Sequence, residues 1–166
     1  MGQAAAEDLV AGRQGCAGVR LSYSTYPRLD AGAPTPVVKA AQCLLRAAGL
    51  DTGPGDPTGI LDAATAAALR QFQSSVALPV TGAVDSRTWT ALLARGTTPV
   101  LRDGATGEAV FRLQRALNAA TTAALTIDEQ FGPRTVAAVR TYQSSRGLTV
   151  DGVVGPNTWA ALQAGR

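Results

Sequence analysis

Histidine is absent from this 166-residue sequence, and Lys39 is the one lysine among otherwise arginine cations. Without histidine the chain lacks the usual general base of hydrolases, histidine-dependent triads and the commonest zinc ligand. The serine pairs at 74–75 and 144–145 therefore have no base to activate a hydroxyl. The adjacent acids Asp128 and Glu129 suit glycoside cleavage poorly, because that chemistry needs two carboxyl groups about 5 to 9 Å apart across the substrate. We expect a chain that is not an enzyme and that uses no cofactor and no metal.

Long apolar runs are also missing, so we expect no membrane span. The N-terminal residues include acids and lack the basic and long apolar segments of a signal peptide, so Met1 is either a native start or a start introduced after a signal was trimmed. The net charge of +3 comes from scattered arginines rather than from a basic run interleaved with aromatics. This distribution argues against nucleic acid as a partner and suits long-range attraction to an anionic polymer.

Cysteine is scarce, with Cys16 in a Gly-rich arm and Cys43 inside a predicted helix. The two are not spaced as a CxxC pair. A lone buried thiol would be ordinary for Cys43 but less natural for Cys16, so we favour a disulfide that ties the arm to the first helix. Such a bond implies an oxidising compartment.

What the sequence does contain is a repeat. Residues 61–92 (LDAATAAALRQFQSSVALPVTGAVDSRTWTAL) align without gaps with residues 131–162 (FGPRTVAAVRTYQSSRGLTVDGVVGPNTWAAL), and nearly half of the positions are identical. The match extends upstream to residues 27–45 and 99–117 with an offset that is two residues larger. A loop therefore separates the first helix of each unit from the second, because loops tolerate such changes in length. The chain is one unit used twice.

Helix-start signals divide each unit into three helices. The signals are Thr35-Pro36, Asp62 and Asp85 in the first unit and Thr106, Gly132-Pro133 and Gly155-Pro156 in the second. Before the last helix, Asp151-Gly152 predicts a tight turn between two short extended pieces. We therefore expect an all-α fold with an N-terminal arm (1–26), a first module (27–96) and a second module (97–166), each module having a short turn or hairpin before its third helix.

The segments AVFRLQRAL, FGPRTVAAVRTYQ and GLTVDGVVGPNTWAAL resemble the type 1 peptidoglycan-binding domain, a three-helix module of exported bacterial proteins. The first unit is a looser copy, with Leu61-Asp62-Ala63 in place of Phe-Gly-Pro, Thr81 in place of Asp and Asp85-Ser86 in place of Gly-Pro. These departures put its ability to bind in doubt more than its fold. The resemblance implies peptidoglycan, as glycan strand or stem peptide, as the ligand and a secreted or cell-wall-associated location.

Several residues retained in both copies have structural interpretations. Trp89 and Trp159 are expected in the core, because their spacing to the following leucine faces inward in a chain short of large side chains. Gln73 and Gln143 are expected to hydrogen-bond a loop backbone, with ligand contact as the alternative. Arg140, like Arg70, either binds a stem-peptide carboxylate or pairs with a nearby acid.

For ligand contact we expect a groove between the second helix of the second module and the VDGVVGP segment. There, glycines and backbone amides allow close approach. The predicted contacts are Asp128, Phe131, Arg140, Tyr142, Asp151, Gly152 and Val154. The alternative is that Asp128 is only a helix N-terminal charge and Asp151 only a turn former.

We therefore expect a non-catalytic cell-wall-binding protein with two tandem modules. The alternative is a structural adaptor, or a prodomain or inhibitor that binds a cell-wall hydrolase or another protein, because a fold does not fix a function. A groove of the second module that is filled by the arm or by the first module would favour this alternative.

Overall fold

The computed structural model describes residues 15–32 and 34–166, and these residues form six helices. The first module contributes α1 (Pro36–Ala47), α2 (Ala63–Ser75) and α3 (Ser86–Leu93), and the second contributes α4 (Glu108–Ala120), α5 (Pro133–Ser145) and α6 (Pro156–Gln163). The predicted all-α fold of two three-helix modules is confirmed. Residues 1–14 of the predicted arm lie outside the described residues. Over the described part of the chain, none of the helices combines the length and apolar character that crossing a bilayer requires.

Helix starts use different chemistry in the two modules. In the first module, Thr35 accepts a hydrogen bond from the backbone N–H of Val37 (3.0 Å), and the carboxylates of Asp62 and Asp85 accept equivalent bonds at the starts of α2 and α3. The second module begins α5 and α6 with proline after a glycine and has no side-chain cap there. Both solutions address the unpaired N–H groups of a first helical turn, one by capping them and one by removing a donor.

The two tryptophans are the centres of the module cores, as predicted. Trp89 and Trp159 are both 0 % exposed. Each indole N–H donates to the carbonyl of a proline near the start of its module, at 2.8 Å to Pro27 and 2.7 Å to Pro99. These bonds satisfy the one polar atom of each ring inside an apolar core.

The arm is fastened to both modules. Cys16 and Cys43 form the predicted disulfide, with an S–S distance of 2.06 Å. Tyr26 is buried against the first module, and the backbone carbonyl of Tyr23 accepts a hydrogen bond from the side chain of Asn118 in α4 (3.0 Å). The described part of the arm therefore bridges the modules as well as covering the first.

The modules pack through α3, which lies against α4 and α6. Gln163 donates to the carbonyls of Ala94 (2.9 Å) and Gly96 (3.1 Å), and the guanidinium of Arg87 donates to the carbonyl of Gly165 (2.9 Å). Buried apolar residues of both modules belong to one continuous core. The copies are thus joined by a packed interface rather than strung on a free linker.

The segment before α6 forms a turn and not a hairpin. Asp151 accepts the N–H of Val153 with its side chain (2.9 Å), which closes the predicted turn. The flanking pieces do not pair with each other: Val154 instead forms an isolated antiparallel bridge with Leu101, at the start of the second module. The side chain of Gln143 binds the turn, as described next.

Candidate functional site

Each turn between consecutive helices of a module is held by a buried glutamine, an arrangement we call the glutamine clamp. In the clamp before α6, the carboxamide oxygen of Gln143 accepts the N–H groups of Asp151 (3.1 Å) and Gly152 (3.0 Å). Its amide group donates to the Asp151 side chain (3.0 Å), to the Val153 carbonyl (2.8 Å) and to the hydroxyl of Thr158 (3.2 Å). One side chain therefore fixes the turn to the start of the next helix.

The same clamp occurs four times in the described chain. In each clamp, the side chain of one turn residue accepts a hydrogen bond from the glutamine, and the threonine that the glutamine also bonds follows seven positions later. The residue directly after the turn residue has a positive φ. The glutamine, turn-residue and threonine sets are Gln42, Thr58, Thr65; Gln73, Thr81, Thr88; Gln114, Asp128, Thr135; and Gln143, Asp151, Thr158. The backbone-binding role predicted for Gln73 and Gln143 is confirmed, and sequence reasoning missed its extension to Gln42 and Gln114.

The clamps explain two of the predicted ligand contacts as turn residues. Asp128 and Asp151 are exposed, but each carboxylate accepts hydrogen bonds within its own clamp. A hydrogen bond from Gln114 holds the pKa of Asp128 below its usual value. Hydrogen bonds from the Val153 backbone and then from Gln143 do the same for the pKa of Asp151. The structure thus gives Asp151 the turn-forming role that the sequence left open, and it gives Asp128 the same role, whereas the sequence alternative for Asp128 was a helix N-terminal charge.

Three other predicted contacts lie in the core. The side chains of Phe131, Tyr142 and Val154 are at most 2 % exposed, so they present no side-chain surface to a ligand. The Tyr142 hydroxyl donates to the carbonyl of Arg166 (2.9 Å), and burial raises the pKa of this phenol. Gly152 is also buried.

Arg140 occupies the place where the groove was expected. A Cβ built on Gly152 would lie 3.1 Å from Nε of Arg140 and 3.3 Å from Val136, so α5 packs directly on the turn. The first module repeats this contact, since a Cβ on Gly82 would lie 3.2 Å from the guanidinium of Arg70. The retained arginine therefore covers a turn glycine in both copies, while remaining exposed on its outer side.

An open cleft of about 280 Å³ lies on a different face of α5, between that helix and the loop that follows α4. Three threonine hydroxyls and one guanidinium surround a floor of small apolar side chains. The lining residues are Thr121, Thr122, Ala123, Leu125, Arg134, Ala137, Ala138 and Thr141. None of the predicted contact residues lines this cleft, and all of the described residues that do line it belong to the second module. We call it the α5 cleft.

The corresponding region of the first module is built differently. Its longer loop is held by Arg46, which donates to Thr52 (2.7 Å), to the Gly55 carbonyl (2.8 Å) and to the Gly53 carbonyl (3.2 Å). Gly53 in turn lies against Ala64, the counterpart of Arg134 in the repeat. In the second module the position of Arg46 is taken by Asn118, which binds the backbone of Leu125. The first copy therefore lacks the guanidinium of the α5 cleft and brings its loop onto that position.

Comparison with known sequences and structures identifies the modules. Residues 34–92 and 106–162 match the family described as putative peptidoglycan binding domain. The chain belongs to this family. Both copies of the peptidoglycan-binding domain match, the looser first module included. The residues matched in each copy span all three helices and both clamps.

Curated relatives cover one module's length of this chain. A zinc D-Ala-D-Ala carboxypeptidase of Streptomyces albus G is 49 % identical over 61 residues, which is 36 % of this chain and 24 % of that protein. An uncharacterised protein of Kitasatospora aureofaciens is 45 % identical over 65 residues, 39 % of this chain and 55 % of that protein. The chain thus spans between a quarter and about half of the curated relatives it matches.

Two solved structures are similar over a comparable length. A peptidoglycan-binding protein from Clostridioides difficile, crystallised with glutamine hydroxamate, has a TM-score of 0.38 and 37 % identity, covering 42 % of this chain and 43 % of that chain. The N-terminal domain of SleB has a TM-score of 0.41 and 34 % identity, covering 43 % of this chain and all of that chain (100 %).

Proposed function

We propose that this chain is a non-catalytic protein that binds bacterial peptidoglycan outside the cell, with the α5 cleft of the second module as the binding site. The observation that carries the proposal is this open, hydroxyl-lined cleft in a peptidoglycan-binding domain. The disulfide between Cys16 and Cys43 supports a secreted or cell-wall-associated location, because such bonds persist in oxidising compartments.

The chemistry of the α5 cleft favours the peptide stem of peptidoglycan over its glycan strand. Arg134 presents a planar set of donors that fits a carboxylate, and Thr122 and Thr141 are exposed hydroxyls suited to amide groups. Ala137 on the floor leaves room for a small apolar side chain. Sugar rings, by contrast, would stack on exposed aromatic rings, and the described rings are buried apart from Tyr23, which the guanidinium of Arg20 covers at 4.6 Å.

Sedimentation with insoluble peptidoglycan tests this proposal. We expect the native chain to sediment with the polymer, and the double variant Arg134→Ala with Thr141→Ala to bind about tenfold more weakly, which corresponds to roughly 1.4 kcal/mol. Both positions are exposed, so the variant should fold normally. The matched control is Gln71→Ala, at the first-module counterpart of Thr141. Native protein that stays in the supernatant, or equal binding by the double variant, would contradict the proposal.

A second double variant tests the surface that was predicted from the sequence. Arg140 and Asp151 are exposed beside the clamp turn and remain proposed contacts. Arg140→Ala combined with Asp151→Asn removes both charges and keeps an oxygen that can accept from Gln143. A loss of binding in this variant but not in the α5-cleft variant would move the proposed site to the turn.

The protein-binding alternative would be favoured by a binding cleft that the arm or the first module fills. The described residues lining the α5 cleft all come from the second module, which supports wall binding instead. Retention of this chain by a cell-wall hydrolase together with no binding to peptidoglycan would favour the adaptor, prodomain or inhibitor role.

A further inference from the structure

One wall of the α5 cleft is formed by residues 121–125, which we call the cleft loop, and this loop is bonded to the side chain of Asn118 in α4. The carboxamide oxygen of Asn118 accepts the N–H of Leu125 (2.7 Å), and its amide group donates to the Leu125 carbonyl (3.0 Å). Asn118 is 3 % exposed and Leu125 is 4 % exposed. Breaking these bonds would leave buried polar groups without partners, which is costly. The position of Leu125 in the cleft wall therefore depends on Asn118.

The cleft loop also contains a backbone conformation that residues with a Cβ rarely adopt. Ala124, directly before Leu125, has a φ of +49°. A left-handed conformation of this kind costs free energy, and it persists only where the surrounding structure imposes it. On the other side of Ala124, the N–H of Ala123 donates to the hydroxyl of Thr121 (3.2 Å). The bonds on both sides of Ala124 therefore hold the loop in a shape that it would not favour by itself.

The amide group of Asn118 also binds the arm. It donates to the carbonyl of Tyr23 (3.0 Å), so the N–H groups of this one side chain are divided between the cleft loop and the arm. The arm around Tyr23 is ordered by the Tyr26 hydroxyl, which donates to the carbonyl of Leu21 (2.7 Å) and accepts the N–H of Tyr23 (3.2 Å). Asn118 is thus a direct link between the arm and the α5 cleft.

The arm itself is anchored on the first module on both sides of Tyr23. Before Tyr23, the disulfide between Cys16 and Cys43 joins it covalently to α1. After Tyr23, the buried ring of Tyr26 lies 5.1 Å from the ring of Trp89, in the core of the first module. The first module therefore sets the position of the carbonyl that Asn118 binds.

We propose that Asn118 and the disulfide-bonded arm are positioning elements of the α5 cleft: the arm fixes Asn118, and Asn118 fixes the cleft loop in the shape that receives the ligand. The inference rests on the proposed function, because it takes the α5 cleft as the binding site. A loop that is already fixed does not have to be ordered when the ligand arrives, which lowers the entropic cost of binding. The first module thereby contributes to binding without touching the ligand.

Amide hydrogen exchange of the full chain, measured without ligand, tests the positioning. In the double variant Cys16→Ser with Cys43→Ser we expect the Leu125 amide to exchange about tenfold faster, and the clamp amide of Gly152 to change much less. The matched control is Gln73→Leu, which destabilises the first module but leaves the disulfide and Asn118 in place. Equal acceleration of the Leu125 and Gly152 amides in the cysteine variant, or the same acceleration of Leu125 in the control, would overturn the proposal.

Sedimentation with insoluble peptidoglycan, at conditions in which every variant is folded, tests the consequence for binding. We expect binding to weaken roughly threefold in the cysteine variant and roughly tenfold in Asn118→Ala, and to stay at the native level in Gln73→Leu. In the Asn118→Ala background the cysteine substitutions should cause no further loss, because the arm acts through Asn118.

Two results would contradict the positioning role: native-level binding by the cysteine variant, or losses from the cysteine and Asn118 substitutions that simply add. Native protein that does not sediment would contradict the proposed function instead. The exchange of the Leu125 amide, which needs no ligand, would then decide alone whether the arm positions the cleft loop.

Discussion

The first and second modules have the same skeleton but differ at most positions outside the core, and the differences fall into two kinds. At the clamp turns, Thr81 in the first module and Asp151 in the second accept the same pair of hydrogen bonds, from the clamp glutamine and from the backbone two residues on. The hydroxyl of Thr81 and the carboxylate of Asp151 therefore stabilise the turn in the same way. Departures that weaken the family pattern in the first module leave its fold intact.

The other kind of difference changes the surface. In the first module Arg46 organises a longer loop that approaches Ala64, while in the second module the shorter loop leaves the α5 cleft beside Arg134. The arm adds to this difference, since Cys16 is bonded to α1 of the first module. The comparison teaches that the copies share what holds the helices together and diverge in what a ligand would meet.

Removal of a clamp glutamine should have the largest effect on stability. Gln143→Leu leaves the buried N–H group of Gly152 and the partly buried Asp151 N–H group and Val153 carbonyl without their partner. At roughly 1–3 kcal/mol for each fully buried group and less for the other two, we expect a loss of about 3 to 4 kcal/mol. Gln73→Leu should cost a similar amount if the modules are equivalent. Chemical denaturation measures both; a loss below 1 kcal/mol in either variant would break the equivalence.

Loss of the disulfide should affect the first module more than the second. With a separation of 27 residues, the bond should contribute about 3.5 kcal/mol in the chain-entropy model. We expect the Cys16→Ser and Cys43→Ser double variant to unfold at lower denaturant concentration, with hydrogen exchange accelerated first around α1. Exchange that accelerates equally in α6 would show that the junction makes the two modules one cooperative unit.

The position after each clamp turn residue provides two smaller changes in stability, of opposite sign. Gly59, Gly82 and Gly152 have φ near +70°, and Glu129 holds the same conformation at +64°. Gly152→Ala should destabilise by about 1–2 kcal/mol, because of this backbone conformation and the contact with Arg140. Glu129→Gly should instead stabilise by roughly 0.5 kcal/mol, the strain relieved exceeding the added unfolded-state entropy. Thermal unfolding of both variants measures the pair, and a destabilised Glu129→Gly would contradict this account.

Acid should weaken the second module's clamps more than the first's. The folded-state pKa values of Asp128 and Asp151 are lowered from the ordinary value of 3.8. Their stabilisation is therefore complete from about pH 5 upward and is lost as the pH falls through the lower folded values. Thr58 and Thr81 occupy the same places in the first module and do not titrate there. The double variant Asp128→Asn with Asp151→Asn should make stability depend less on pH between about 2 and 4, as measured by chemical denaturation. If the slope is unchanged, the acid sensitivity comes from other groups, such as the capping carboxylate of Asp62.

The repeat, the three helices of each module and the buried tryptophans were predictable from the sequence, because local signals and side-chain periodicity report them. The four clamps also have a sequence pattern: a threonine lies seven residues after each turn residue. That signal was missed because the glutamines lie 8 to 16 residues from their turn partners. The predicted contacts included both exposed and buried positions: Arg140 is exposed, whereas Tyr142 and Val154 are buried.

The sequence by itself therefore determined the family, the helical architecture and the pairing of Cys16 with Cys43. Only the tertiary structure decided that Arg140 covers the turn, that the α5 cleft opens on another face of the same helix and that Asn118 joins the arm to the cleft loop. The physical reason is that the periodicity of apolar residues indicates which face of one helix is buried. The shape of a cleft depends on how helices and loops from separate parts of the sequence pack together, and the sequence of one segment does not determine that packing.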